Sequence, residues 1–293
     1  MQSDRGTKNL RWGYKMKKSL IGLAILSFVL SGCSGDDENQ VRSFDGVKIS
    51  YDVQGKGEPV LVFVHGWSCS REYWKEQVAH FAKKHKVVTI DLAGHGQSGL
   101  SRKDYTIEAF GKDVATVAEK LNLNRIILVG HSIGGLVVVE AARQMPGRVV
   151  CLVGADEFHD IEKGFNEEDV KGLIAMIEPD FVKGTQSFVR GMFPPDADPE
   201  LVEWVADRMS SADPEIGINA FRNLGNYDLK SAVGQIEIPL YSISSDFWPM
   251  NLEGNKKYVQ SFKLKLMPGI GHFVMLEDAE KFNKLLEEII KEL

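Results

Sequence analysis

Gly130-His131-Ser132-Ile133-Gly134 reads G-x-S-x-G, and it stands between two segments of different character. Residues 125–130 (RIILVG) are a short run rich in Ile and Val, which predicts a buried strand. Residues 133–145 carry Leu136, Val137, Val138, Val139, Ala141 and Ala142, which predicts a buried helix. A serine between the two is held on a sharp bend, its hydroxyl exposed and a helix N-terminus behind it. The glycines let the backbone turn and let the helix approach the strand closely. Ser132 is therefore the candidate nucleophile.

The same alternation runs along the chain. Residues 44–53 alternate apolar and polar around Asp45-Gly46, a hairpin signal. Apolar runs predict strands over 59–64, 86–91, 149–154, 238–244 and 262–267. Helical spacing covers 71–84 through Tyr73, Trp74, Val78 and Phe81. Thr106 can cap a helix to about Leu121, and 278–293 closes as a helix. Strands alternating with helices imply an α/β domain with a mostly parallel sheet and helices on both faces. The strand pattern stops over 156–230. That stretch is helix-like and carries Phe158, Phe165, Met176, Phe181, Phe188, Met192, Phe193 and Trp204. It is expected to form a helical cap, most of its aromatics packing the cap itself and a minority facing a pocket.

A serine hydroxyl needs a base at neutral pH. His272, in Pro268-Gly269-Ile270-Gly271-His272-Phe273, follows a strand and precedes the last helix, and imidazole can take and return the serine proton. Asp246, just after the strand 238–244, is the expected orienting carboxylate, in the order Ser132, Asp246, His272. Asp156 and Glu157, after the strand 149–154, are its rivals. The oxyanion of an acyl transfer needs fixed N–H donors. The backbone N–H groups of Ile133 and Trp67 are the candidates, Trp67 standing in the loop 65–68. His65, His95 and His131 are expected to support loops by hydrogen bonds. No spacing suggests a metal site, no CxxC is present, and no cofactor is expected.

The N-terminus reads differently. Met16-Lys17-Lys18 is a basic start, Leu20 to Leu30 is apolar but short for a bilayer span, and Leu30-Ser31-Gly32-Cys33 follows. This resembles a bacterial lipoprotein signal, which implies cleavage before Cys33 and lipidation of its thiol. The chain then divides into an upstream extension over 1–15, a signal peptide over 16–32, a lipidated cysteine with polar tether over 33–40, a core over 41–155 and 231–293, and the cap over 156–230. Cleavage would leave 293 − 32 = 261 residues. Those retain 35 − 6 = 29 basic and 41 − 1 = 40 acidic residues, net −11, so no electrostatic case exists for nucleic acid or an anionic membrane surface. Membrane attachment is expected through lipid on Cys33, at the bacterial cell envelope, with Ser34 pointing to the outer rather than the inner membrane.

The set HGW (65–67), DLAGHGQS (91–98), GHSIGG (130–135), Asp246 and GIGH (269–272) resembles the α/β-hydrolase superfamily. The resemblance implies an eight-stranded, mostly parallel sheet with a cap after the sixth strand, and a Ser-Asp-His triad acting on a small-molecule acyl substrate. The cap stretches 164–181 and 213–229 resemble a subgroup holding bacterial stress-response hydrolases and plant strigolactone and karrikin receptors. Ser132 argues against the dehalogenases and epoxide hydrolases of this fold, which use an aspartate nucleophile. The expected function is a cofactor-free, carboxylesterase-like serine hydrolase (EC 3.1.1) cleaving an ester, thioester, lactone or amide. The alternative is a slow-turnover ligand sensor.

Overall fold

The computed structural model describes residues 39–293. The extension over 1–15, the signal peptide over 16–32 and Cys33 with most of its tether lie outside the described residues.

Eight strands form one sheet in the order β1-β2-β4-β3-β5-β6-β7-β8. They are β1 (Gln40–Arg42), β2 (Lys48–Gln54), β3 (Val60–Val64), β4 (Val87–Asp91), β5 (Ile126–His131), β6 (Val149–Ala155), β7 (Leu240–Ser245) and β8 (Lys263–Met267). β1 and β2 form the hairpin expected around Asp45-Gly46, with Val41 opposite Ile49, and β2 runs antiparallel to β4. From β4 to β8 every pairing is parallel. β3, β4 and β5 are buried along their whole length, as strands covered on both faces must be, which explains their unbroken apolar runs. β8 lies at the sheet edge. There Lys263 and Lys265 reach Glu292, at 2.9 and 2.8 Å, and the lysines discourage further strand pairing.

Helices α1 (Lys75–Phe81), α2 (Ile107–Lys120) and α3 (Ile133–Gln144) connect the first strands. Thr106 caps α2 by accepting from the Ala109 N–H at 3.1 Å. The segment from Arg71 opens as a 3-10 turn, Arg71–Trp74, before α1 begins. Between β6 and β7 stand five helices: α4 (Glu167–Ile177), α5 (Phe181–Arg190), α6 (Pro199–Ser210), α7 (Pro214–Leu224) and α8 (Leu229–Val233). Each opens on an Asn or Asp whose side chain accepts from the first-turn amides: Asn166, Asp180, Asp198, Asp213 and Asp228. Proline follows Asp198 and Asp213, where its missing N–H costs nothing. α9 (Leu252–Tyr258), α10 (Val274–Glu277) and α11 (Ala279–Glu292) complete the chain. No helix of the described residues is long and apolar enough to cross a membrane.

The carboxyl ends of β3, β5, β6, β7 and β8 lead into the segments that carry Trp67, Ser132, Asp156, Asp246 and His272. In an open parallel sheet this edge is where ligands bind.

Candidate active site

Ser132 occupies the turn between β5 and α3 with φ 52° and ψ −131°, a strained conformation for a residue with a side chain. The surroundings hold it there. A methyl on Gly130 would collide with the Gly134 carbonyl, and one on Gly134 would lie 2.6 Å from the His65 carbonyl. The helix can therefore enter against the strand and the neighbouring loop only if both positions lack a side chain. The Ser132 N–H donates to the Ala155 carbonyl at 3.1 Å, and the Ser132 carbonyl accepts from Gly135 at 2.7 Å.

His272 lies in the loop after β8 and is 7% exposed. Its backbone is fixed on several sides. The His272 N–H donates to the Met192 carbonyl of the cap at 3.0 Å. The Glu277 carboxylate accepts from Gly271 N–H at 2.8 Å and from Phe273 N–H at 3.0 Å, bracketing the histidine. The His131 Nε2–H donates to the His272 carbonyl at 3.1 Å, and burial holds the His131 imidazole neutral, its pKa well below the usual range.

The carboxylate on His272 is Asp156, not Asp246. His272 Nδ1 stands 2.7 Å from Asp156 Oδ2. Asp156 is 1% exposed, has φ 49°, and accepts at Oδ1 from the Ser245 N–H (2.8 Å) and hydroxyl (2.9 Å). Burial pushes its pKa up, but the His159 and His272 imidazoles override this and hold the carboxyl well below the usual range. Asp246 is exposed, and its Oδ1 accepts from the Gly269 N–H at 2.8 Å. It braces the loop that carries His272 and is not the acid bonded to the ring. Either aspartate follows a parallel strand and precedes His272 in the chain, so chain order could not separate them. The left-handed turn at Asp156, which swings its carboxyl towards His272, is a tertiary feature.

Sequence reasoning missed three further groups. His159 Nε2 stands 3.7 Å from Asp156 Oδ2. Burial works to lower the His159 pKa, and Asp156 overrides this and raises it. Trp248 packs edge-on against both imidazoles, with centroids 5.2 Å from His272 and 5.9 Å from His159. Glu277, on the short helix α10, carried no signal beyond its proximity in sequence to His272.

His65 and His95 are loop supports. The Leu92 N–H donates to His65 Nε2 at 3.0 Å and the Ser68 N–H to His95 Nε2 at 3.2 Å. Each ring therefore carries its proton on Nδ1, which donates to the Gly66 carbonyl (2.8 Å) and the Ala93 carbonyl (2.9 Å) respectively. Burial depresses the two pKa values to about 4 and about 3, so both rings are neutral.

A cavity of about 730 Å³ contains Ser132, Asp156 and His272 in its wall, together with Trp67 and Ile133. The Ile133 amide is the first of α3, one that intrahelical bonding leaves free. The Trp67 indole N–H donates to the Gly217 carbonyl of α7 at 2.9 Å, and its ring stacks on Phe221 at 4.2 Å. The loop after β3 is thereby tied to the cap. Phe188, Met192, Phe221 and Leu224 bring apolar cap surface to the same cavity. A strained serine, an imidazole fixed by a buried carboxylate and a free helix-terminal amide in one apolar cavity can carry out acyl transfer.

A family model described as alpha/beta hydrolase fold matches residues 59–187. The chain has the α/β-hydrolase fold. An AB hydrolase superfamily protein of Bacillus subtilis (strain 168), YisY, is 23% identical over 261 residues, covering 85% of this chain and 97% of that protein. The karrikin insensitive 2 receptor IA of Petunia hybrida is 24% identical over 207 residues, 67% of this chain and 76% of that one. Among solved structures, an esterase of Exiguobacterium antarcticum superposes with a TM-score of 0.77 at 20% identity, covering 86% of this chain and 99% of the esterase. At that identity the likeness concerns the α/β-hydrolase fold alone.

Proposed function

We propose that this α/β-hydrolase-fold protein is a serine hydrolase that cleaves an ester, thioester, lactone or amide of a small to medium substrate through an acyl-enzyme. The observation that carries the reading is the 2.7 Å contact of His272 Nδ1 with buried Asp156, in the cavity that also holds strained Ser132. Asp156 keeps the His272 proton on Nδ1, which leaves Nε2 free to take the Ser132 proton as Oγ attacks the carbonyl. The Ile133 and Trp67 amides hold the oxyanion. The protonated imidazole, stabilised by Asp156, then protonates the leaving group, and water activated by the same imidazole releases the acyl chain. An ester is the preferred substrate class within this reading. The membrane-anchor reading is part of the same proposal: lipid on Cys33 would place the hydrolase at the cell envelope.

Purified protein and Ser132→Ala, assayed on p-nitrophenyl esters from acetate to decanoate, test the chemistry. Sustained turnover that falls at least about 10³-fold in Ser132→Ala is expected. Undiminished turnover in the variant would remove Ser132 from the mechanism. The likeness to a Petunia receptor supports a second reading, a sensor of slow turnover. One product released per protein molecule, followed by near arrest, would favour it.

A further inference from the structure

The cavity wall carries more negative charge than the triad uses. Asp156, Glu157, Asp160, Glu168 and Asp169 line it against a single lysine, Lys163. Asp156 faces His272 and His159, and Asp169 pairs with Lys163 at 3.2 Å. Asp160 accepts from the N–H groups of Glu162 and Lys163 and from Asn251, which shapes its own turn.

Glu157 is different. It is 7% exposed, and the hydrogen bond its carboxylate accepts comes from the N–H of the next residue, Phe158, at 3.1 Å. Among the described residues no lysine or arginine pairs with it; the titratable groups that face it are His159 and His272, whose imidazoles are turned to Asp156, and Asp156 itself. Its stem packs against Gly135, in the first turn of α3 directly behind Ser132. A buried carboxyl without a cation is costly when ionised, and an apolar side chain would fill the same space without that cost. Burial pushes its pKa up to about 7. Phe158, Phe165 and Trp248 add aromatic surface to the same wall, and aromatic faces attract alkylammonium groups.

We infer that the cavity recognises an acyl substrate carrying an ammonium group, with Glu157 as its counter-ion. The cation supplies the partner that the folded chain leaves out, and the aromatic rings cover its N-alkyl groups. An anionic substrate would meet an unfavourable field. The inference deepens the serine-hydrolase reading and rests on it for turnover, but binding can be measured without turnover.

The test compares two esters of nearly the same shape, butyrylcholine and 3,3-dimethylbutyl butanoate, which differ by the positive charge. Each is titrated into the Ser132→Ala protein, with quenching of tryptophan fluorescence as the signal, since Trp67 and Trp248 line the cavity. The ammonium ester is expected to bind at least about tenfold tighter at pH 8. The ratio should shrink at pH 5.5, where Glu157 is protonated, and fall towards one in Ser132→Ala/Glu157→Gln. Near-ultraviolet circular dichroism establishes that the double variant is folded. Equal affinities, tighter binding of the neutral ester, no binding of either, or a preference that survives Glu157→Gln overturns the inference. Failure of the serine-hydrolase reading has a separate signature: hydrolysis of either ester by wild-type protein that Ser132→Ala does not reduce.

Discussion

Two neighbouring strands of the sheet, β6 and β7, each end in an aspartate, and the two aspartates have different fates. Asp156, after β6, is buried, turned through a left-handed conformation, held at Oδ1 by Ser245 and bonded at Oδ2 to His272. Asp246, after β7, is exposed and accepts one backbone N–H, that of Gly269. Both serve the same histidine, one through its ring and the other through the loop that carries it. A carboxylate that must stabilise an imidazolium does more when water is excluded and its second oxygen is already satisfied. The β7 strand contributes to that end as well, because Ser245 at its tip holds Asp156. The acid on His272 is thus held from two strand ends, and the carboxylate bonded to the ring sits on the one that is desolvated.

The largest effect expected from breaking this contrast is that of Asp156→Asn. It keeps the shape, removes the charge and allows the wrong imidazole tautomer. We expect a loss of about 10³- to 10⁴-fold in kcat on a Ser132-dependent ester. Asp246→Asn should cost less than about tenfold, with loosening of the loop 268–272 visible as faster amide exchange at Gly269. Equal losses in the two variants would erase the distinction between ring partner and loop brace.

The next effect sharpens the turn after β6 itself. Glu157 has an ordinary pKa of 4.5 that burial raises to about 7. The folded protein therefore favours the protonated form. The contribution is complete below the unfolded value and is lost as pH rises through about 7. Glu157→Gln removes this pH-dependent loss, so its stability relative to wild type should rise between pH 5 and pH 8, by about 3 kcal/mol at most. Denaturant melts at the two pH values measure it, and a constant difference would contradict the burial argument.

A smaller effect concerns the second imidazole on Asp156. Asp156 raises the His159 pKa, so the pair contributes stability that is present at low pH and lost as pH rises through the raised value. His159→Gln should therefore lose more stability at pH 5.5 than at pH 8.5 in denaturant melts, by less than about 1 kcal/mol. An equal loss at the two pH values would mean that His159 does not pair with Asp156. At the N-terminus, Cys33→Ser is expected to shift the protein from the detergent to the aqueous phase on partition.

The parts of the molecule that were legible in its sequence are those set by local chemistry. Short apolar runs over 59–64 and 125–130 became β3 and β5, because a strand buried on both faces needs no polar alternation. Thr106 capped α2 because its hydroxyl sits where an orphan amide needs an acceptor. Ser132 can stand on its bend because Gly130 and Gly134 carry no side chain to block the close approach of α3. The acid on His272 was of another kind. Asp156 and Asp246 have nearly the same sequence setting, a strand end followed by a short loop, and no local rule separates them. Only the assembled sheet brings Ser245 under one carboxyl and His272 over it, while water reaches the other. Strand, cap and bend are properties of a few consecutive residues. Burial and a hydrogen bond spanning 116 positions belong to the fold as a whole.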